Sequence, residues 1–487
     1  MRATLRSNYS GENLTEQPSA LHANQGQGGD RRCGVSNRCD SATLSMVRPG
    51  HPWPASAGRT WAPSPGLCQI LVHGEERPCL ARSDTAHPVS GNGPALLHSH
   101  SEMQVASRIG RMRGEGAFEV LVRARALEAQ GRDVVHMEIG EPDFPTPANI
   151  LEAGRKALAD GYTKYGPTQG DPELREAIAE HVSATRGIPV DESQVVVTPG
   201  AKPILFYSML ALLEPGDEVL YPNPGFPIYE SVIGACGATP VALPLLEGRG
   251  FSIDLDRFQE LLSERTRLVI LNSPQNPTGG TIPQGDLRAI AELVANRDLL
   301  VLSDEIYNLI AFDERPFSIA SIDGMAGKTI LLDGFSKAYS MTGWRIGYGV
   351  LPKWMVDAIC LLQVNSASHT ASFTQRAAIE ALRGPQDSVR AMVDEFRRRR
   401  DVIVDGLNSV PGFRCARPGG AFYAFPNVEA TGCNANDLAD RILQDAGVAC
   451  LAGDSFGAYG AGYLRFSYAT ALDRIQLALE RMRDLLA

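Results

Sequence analysis

Asp333-Gly-Phe-Ser-Lys337-Ala-Tyr-Ser-Met-Thr-Gly-Trp-Arg345-Ile-Gly-Tyr348 follows an apolar, strand-like run at 329–332 and places an arginine eight residues beyond a lysine. A lysine amine can bond covalently to a carbonyl compound. A guanidinium grips phosphate with a planar fork of donors that an ammonium does not reproduce. One segment would therefore supply a covalent and an ionic anchor to a single small molecule. A solvated lysine and arginine on an ordinary loop have the same spacing, so the weight of this reading comes from what surrounds it.

Upstream and downstream of this segment, short apolar runs alternate with helical patterns, the signature of an α/β fold with a mainly parallel sheet. Strands are expected at 194–198, 218–221, 239–243, 267–271, 299–303 and 329–332. Most of the polar motifs follow these runs directly, and open α/β sheets bind ligands beyond the carboxyl ends of their strands. Thr198-Pro-Gly200-Ala201-Lys202 is a small-residue turn opening an apolar helix, whose start offers free N–H groups to a phosphate. Asn272-Ser-Pro-Gln-Asn276-Pro-Thr-Gly-Gly280 is an irregular loop that can aim the Asn276 amide at a ligand. Asp304 ends a strand expected to be buried on both faces, where a carboxylate needs a cation or hydrogen bonds.

These residues fit pyridoxal 5'-phosphate held by Lys337 as a Schiff base. The protonated pyridine nitrogen is the partner that Asp304 needs, and the carboxylate keeps that nitrogen charged. Tyr307 and Asn276 are both placed to bond the 3'-hydroxyl. Phe226, in Tyr221-Pro-Asn-Pro-Gly-Phe226-Pro-Ile-Tyr229, would stack on the ring.

Residues from about 110 to 487 resemble a fold-type I, class I/II aminotransferase of the aspartate aminotransferase superfamily. The resemblance rests on the Lys337 segment together with Gly140-Glu-Pro-Asp-Phe144, Asn276-Pro-Thr-Gly279, Ser303-Asp-Glu-Ile-Tyr307 and Gly343-Trp-Arg-Ile-Gly347, all in family order. It implies an α/β fold whose large domain, at 149–385, carries a mainly parallel seven-stranded sheet. An N-terminal arm and part of the small domain fall at 103–148, and a small α+β domain at 386–487. It implies ping-pong transfer of an amino group between an L-amino acid and a 2-oxo acid, with Lys337 as Schiff-base lysine and proton shuttle.

By the same resemblance Gly200, the amides of Ala201 and Lys202, Ser336 and Arg345 bind phosphate. Arg465, in Tyr463-Leu-Arg465-Phe-Ser-Tyr468, clamps the substrate α-carboxylate with help from the Gly140 backbone. Tyr165 resembles a tyrosine that crosses from the neighbouring subunit to the phosphate, which implies a homodimer with shared active sites. Gly334 stands where many relatives carry a phosphate-binding serine. No arginine for a distal carboxylate occurs near Asn365-Ser-Ala-Ser-His369-Thr370. His369 or Lys202 could contact the substrate side chain instead, so aspartate-type and broad specificity both remain open. A lyase or oxidase on the same fold is the alternative. An aminotransferase-like regulator would need a basic helical head that residues 1–102 do not offer.

The C-terminal pattern reads as a helix at 388–407, a strand at 421–425, a helix at 435–445, and strands at 447–451 and 463–468. A final helix has Ile475, Leu479, Met482 and Leu486 on its core face. The net charge of −10 argues against sequence-independent nucleic-acid binding. No apolar run suits a bilayer and the start lacks a secretory signal, so a cytoplasmic location is expected. Nine cysteines without a Cys-x-x-Cys pair suggest reduced thiols and no metal site. Residues 1–102 hold six of the nine histidines and no lysine, show no periodicity and are rich in breakers. They read as a disordered or non-native extension, with the true start near Met103.

Overall fold

The computed structural model describes residues 105–487. The expectations for 1–102 and for a start at Met103 lie outside the described residues. In chain order the strands are β1 (Val135–His136), β2 (Val195–Thr198), β3 (Glu218–Asn223), β4 (Thr239–Leu246), β5 (Ser252–Ile253), β6 (Thr266–Asn272), β7 (Leu300–Asp304), β8 (Thr329–Gly334), β9 (Gly347–Val350), β10 (Tyr423–Ala424), β11 (Val448–Ala449), β12 (Leu451–Ala452) and β13 (Leu464–Ser467).

Strands β2 to β9 form one sheet in the order β2-β9-β8-β7-β6-β3-β4-β5. The central pairings from β4 through β3, β6 and β7 to β8 are parallel. Strand β9 runs antiparallel to both β8 and β2, and β5 antiparallel to β4. All six expected strands are present with slightly shifted ends, but the sheet has eight strands rather than seven. The short edge strand β5, pairing Ile253 with Leu245, adds the eighth.

The central strands are buried on both faces, which is why they read as continuous apolar runs. Leu220, Val269, Leu271 and Val301 pack with Leu287, Ile290 and Val294 of the helix Gln284–Val294. Their alternating neighbours Val219, Leu268, Ile270 and Leu302 pack with the helices Lys202–Leu212 and Ile228–Ala235. Burying each such side chain stabilises by about 2 kcal/mol, leaving the strand ends as the place for polar groups.

Strand β9 escaped the sequence reading because two of its four residues are glycines, which weaken a strand signal. The packing requires both. A Cβ on Gly347 would lie 2.5 Å from the backbone nitrogen of Ala201, and one on Gly349 2.9 Å from Ile204 Cγ2. The bare strand thus lets the start of the helix Lys202–Leu212 settle against the sheet.

Strands β10, β13 and β12 form an antiparallel sheet, and β1 pairs with β11 in parallel. The helix Asp387–Leu407 crosses the terminal helix Leu472–Leu486 at Gly406, where a Cβ would lie 2.2 Å from Leu479 Cδ1. Ile475, Leu479 and Met482 are buried and Leu486 packs at the edge of the same core. Three expected elements change. The strand at 421–425 contracts to β10, Ala421 taking a left-handed φ of 56°. The segment 447–451 divides into β11 and β12, which pair with different strands. The helix at 435–445 is α-helical over Ala435–Arg441 and ends in a π turn, Ile442–Ala446, stopped by Gly447 at φ 63°. No helix among the described residues is long and apolar enough to cross a membrane.

Candidate active site

The carboxyl ends of β6, β7 and β8 open into a cavity of about 410 Å³ that β13 and the start of the helix Lys202–Leu212 help to close. Asp304, the last residue of β7, is buried, with Oδ2 accepting from the Tyr229 hydroxyl at 2.7 Å and Oδ1 from the Ile306 N–H at 3.3 Å. Burial pushes its carboxyl up to about 6, against the pull of the Tyr229 bond. Lys337, just past β8, donates from Nζ to the Gly140 carbonyl at 2.6 Å. Burial brings its amine down to about 8, while Glu141 and Glu115 act the other way.

Arg345 lines the cavity and meets the Gly200 turn, of which Ala201 and Lys202 line the cavity and Gly200 itself does not. Arg345 adopts a left-handed φ of 53°, an uncommon conformation for a residue with a side chain, and donates from Nη1 to the Thr342 carbonyl at 2.9 Å. A Cβ on Gly200, itself at φ 89°, would lie 2.3 Å from Arg345 Nη2. Only glycine lets the guanidinium come this close to the turn. The helix then begins at Lys202 with no side-chain cap, so its first N–H groups and positive dipole end remain available to an anion. Ser336 also lines the cavity. At Gly334 a Cβ would lie 3.0 Å from Gly347 Cα across the β8–β9 pair, so a side chain there requires β9 to give by a few tenths of an ångström.

Arg465 projects from β13 and is 4% exposed. Its Nη1 donates to Asn276 Oδ1 at 3.0 Å and its Nη2 to the Glu138 carbonyl, while Nε has no partner. The guanidinium lies 4.7 Å from the Tyr423 ring centroid and 4.9 Å from that of Phe456. The Tyr307 and Tyr423 hydroxyls are hydrogen-bonded at 2.7 Å. Phe226 lines the cavity with its ring 5.2 Å from Lys202 Nζ. Among the described residues, Asp304, Lys337 and Arg465 each face the cavity without an ion-pair partner.

Gly140, Ala201, Lys202, Phe226, Asn276, Asp304, Tyr307, Ser336, Lys337, Arg345 and Arg465 all converge on this cavity. Tyr165 and His369 do not line it. They pack edge to face with ring centroids 5.4 Å apart, Tyr165 being 90% exposed and His369 Nδ1 lying 2.7 Å from the Thr370 carbonyl oxygen. The sequence reading missed Glu115, Tyr229 and Tyr423. Tyr229 stands three residues after Phe226, just inside the helix that Phe226 precedes, and their rings meet edge to face at 5.7 Å. Tyr423 lies within a continuous apolar run, Ala421-Phe-Tyr-Ala-Phe425, and Glu115 gave no signal.

The family profile described as "Aminotransferase class I and II" matches residues 132–482. The chain is 39% identical over 364 residues to an aspartate aminotransferase of Pyrococcus abyssi, covering 74% of this chain and 93% of that one. It is 38% identical to an arginine–pyruvate transaminase of Pseudomonas aeruginosa, covering 76% and 95% respectively. A solved aspartate aminotransferase of Thermus thermophilus with maleate superposes with a TM-score of 0.75 at 36% identity, covering 79% of this chain and all of that one.

Proposed function

The chain belongs to the class I and II aminotransferase family, and from that premise we propose how its cavity works. The protein is a pyridoxal-phosphate-dependent aminotransferase, moving an amino group between an L-amino acid and a 2-oxo acid. The residues fit the cofactor. Asp304, a buried acid without a cation, suits the protonated ring nitrogen. The uncapped helix start at Ala201 and Lys202, with Ser336 and Arg345, suits the phosphate. Arg465 occupies the Asn276 amide oxygen, which leaves the Asn276 Nδ2 to donate, beside Tyr307, to the 3'-hydroxyl. Phe226 suits the ring face. When bound, the cofactor supplies a carbonyl that condenses with amines and a ring that draws off the electron pair left when Cα loses a proton.

Arg465 takes the substrate α-carboxylate in its planar fork, and the Gly140 backbone assists. That clamp fixes the amino acid so that its Cα–H is presented to Lys337. With an amine held near 8, Lys337 is neutral in an appreciable fraction of molecules at neutral pH. Its Nζ accepts the Cα proton as base and, as acid, would pass it to the bound cofactor rather than return it to Cα, so that the amino acid leaves as its 2-oxo acid. The reaction is ping-pong: the amino group stays on the protein between release of the first 2-oxo acid and arrival of the second.

The observation that carries this reading is the convergence of three unpaired charges, on Asp304, Lys337 and Arg465, at one cavity. The same reading takes the protein as a cytoplasmic homodimer, with Tyr165 of the partner subunit completing each phosphate site. It also takes 149–385 as a large cofactor-binding domain and 386–487, with part of 103–148, as a small one. The test is a half-reaction, giving holoprotein single amino acids without any 2-oxo acid. One equivalent of the matching 2-oxo acid per site, with the amino group released only when a second oxo acid is added, is expected. Product carbon dioxide, ammonia or peroxide in its place would refute transamination.

A further inference from the structure

Glu115 precedes the helix Gly116–Glu128 at its N-cap, where a carboxylate ordinarily accepts from the first N–H groups of its own helix. It makes no such bond. Its carboxylate instead engages the Lys202 ammonium, 87 residues away in the chain, and both side chains line the cavity that holds Arg465. Its position is fixed by the backbone around it. The Arg113 N–H donates to Ser231 Oγ at 2.7 Å, and a Cβ on Gly116 would lie 3.2 Å from Ser455 Oγ.

We propose that Glu115 determines substrate range: by claiming Lys202 it turns the cavity mouth against dicarboxylic amino acids and toward donors with uncharged or hydrogen-bond-donating side chains. This rests on the aminotransferase reading and deepens it. A substrate clamped at Arg465 extends its side chain into a wall that contains Glu115, Glu141 and Lys202. Glu141 accepts from the Thr342 hydroxyl and has no cation of its own. Two carboxylates therefore face one ammonium, and that ammonium is already taken. A distal substrate carboxylate must displace Glu115 from Lys202 and then sit beside a like charge. A hydroxyl, amide or amine can donate to Glu115 with the pair intact. The charge of Glu115 also acts on Lys337 and Arg465, so it lies within the field of the reacting groups. Selectivity of this kind comes from a repulsion built against one ligand class as much as from an attraction to another.

The test compares purified holoprotein with its Glu115→Gln and Glu115→Gln/Lys202→Gln variants. Affinities for succinate and propionate, unreactive probes differing by one carboxylate, are measured by calorimetry. The kcat/KM ratio of aspartate to alanine is measured alongside. Glutamine keeps the shape of Glu115 and frees Lys202. The succinate-to-propionate affinity ratio and the aspartate-to-alanine ratio should each rise about tenfold in the single variant and fall back in the double variant. Ratios that stay within twofold of wild type, or that rise equally in the double variant, overturn the proposal. A shift in the binding ratio without any transamination would retain the role of Glu115 and sink the aminotransferase reading instead. Transamination with unshifted ratios would do the reverse.

Discussion

Replacing Tyr229 by phenylalanine removes one hydroxyl from behind the cavity and tests how Asp304 is kept ionised. Tyr229 is fully buried, so phenylalanine keeps the ring and its edge-to-face packing on Phe226. Only the 2.7 Å bond to Asp304 Oδ2 is lost. A hydrogen bond to a charged group contributes about 1.5–3 kcal/mol, and one pKa unit corresponds to about 1.4 kcal/mol. The bond favours the carboxylate, so its loss raises the Asp304 carboxyl by about 1–2 units. The starting value is about 6. Affinity of the apoprotein for pyridoxal 5'-phosphate, followed by quenching of protein fluorescence from pH 5 to 9, reports the change. Protonation of the phosphate affects both proteins alike and cancels in the comparison. The acid limb for Tyr229→Phe should move upward by about one unit or more, with the two curves meeting at alkaline pH. Superimposed curves, or a shift toward lower pH, would refute the assignment of Asp304 to the ring nitrogen.

Three further outcomes are expected. Arg465→Lys removes the planar fork and the stacking on Tyr423, so kcat/KM for any accepted amino acid should fall about 100-fold or more, with kcat and KM both affected in steady-state assays. Gly200→Ala places a Cβ against Arg345 at a backbone φ of 89°. Equilibrium dialysis should show cofactor affinity reduced at least about tenfold, since either the turn or the guanidinium must move. Asp304→Asn should make the apoprotein more stable above pH 6, by up to about 3 kcal/mol in denaturant titrations. The folded carboxyl is raised from 3.8 to about 6, so the native state binds more protons in that window and loses stability as pH rises through it. The gain should vanish by pH 4, and an equal gain at both pH values would contradict the burial of a charged Asp304.

Asn276, Asp304 and Lys337 were legible because each lies at or soon after the end of an apolar run, and the sheet delivers such positions to one edge; Arg345 was legible from its spacing to Lys337. Arg465 lies inside a strand and was readable only through resemblance. The partners that tune these groups were hidden for a different reason. The Tyr229–Asp304 bond spans 75 residues and the Tyr307–Tyr423 bond 116, and no local pattern records a contact at that separation. The position of Lys202 could be read, but its engagement by Glu115 required the fold. Tyr165, expected to serve the neighbouring subunit's site, and His369, expected at the substrate side chain, both lie outside the lining of the cavity in their own chain. Strand β9 was invisible because the glycines that mask it are the ones that admit the neighbouring helix.

Lys337 and Arg345 both sit on the connection between β8 and β9, adjacent strands that run in opposite directions. Surface connections elsewhere in proteins absorb insertions and deletions with little effect, because nothing measures their length. On the proposed cofactor reading, the number of residues between amine and guanidinium would act as a ruler cut to one ligand. A single residue added or removed would leave the strand pairing in place and still put the two anchors out of step with a molecule of fixed size.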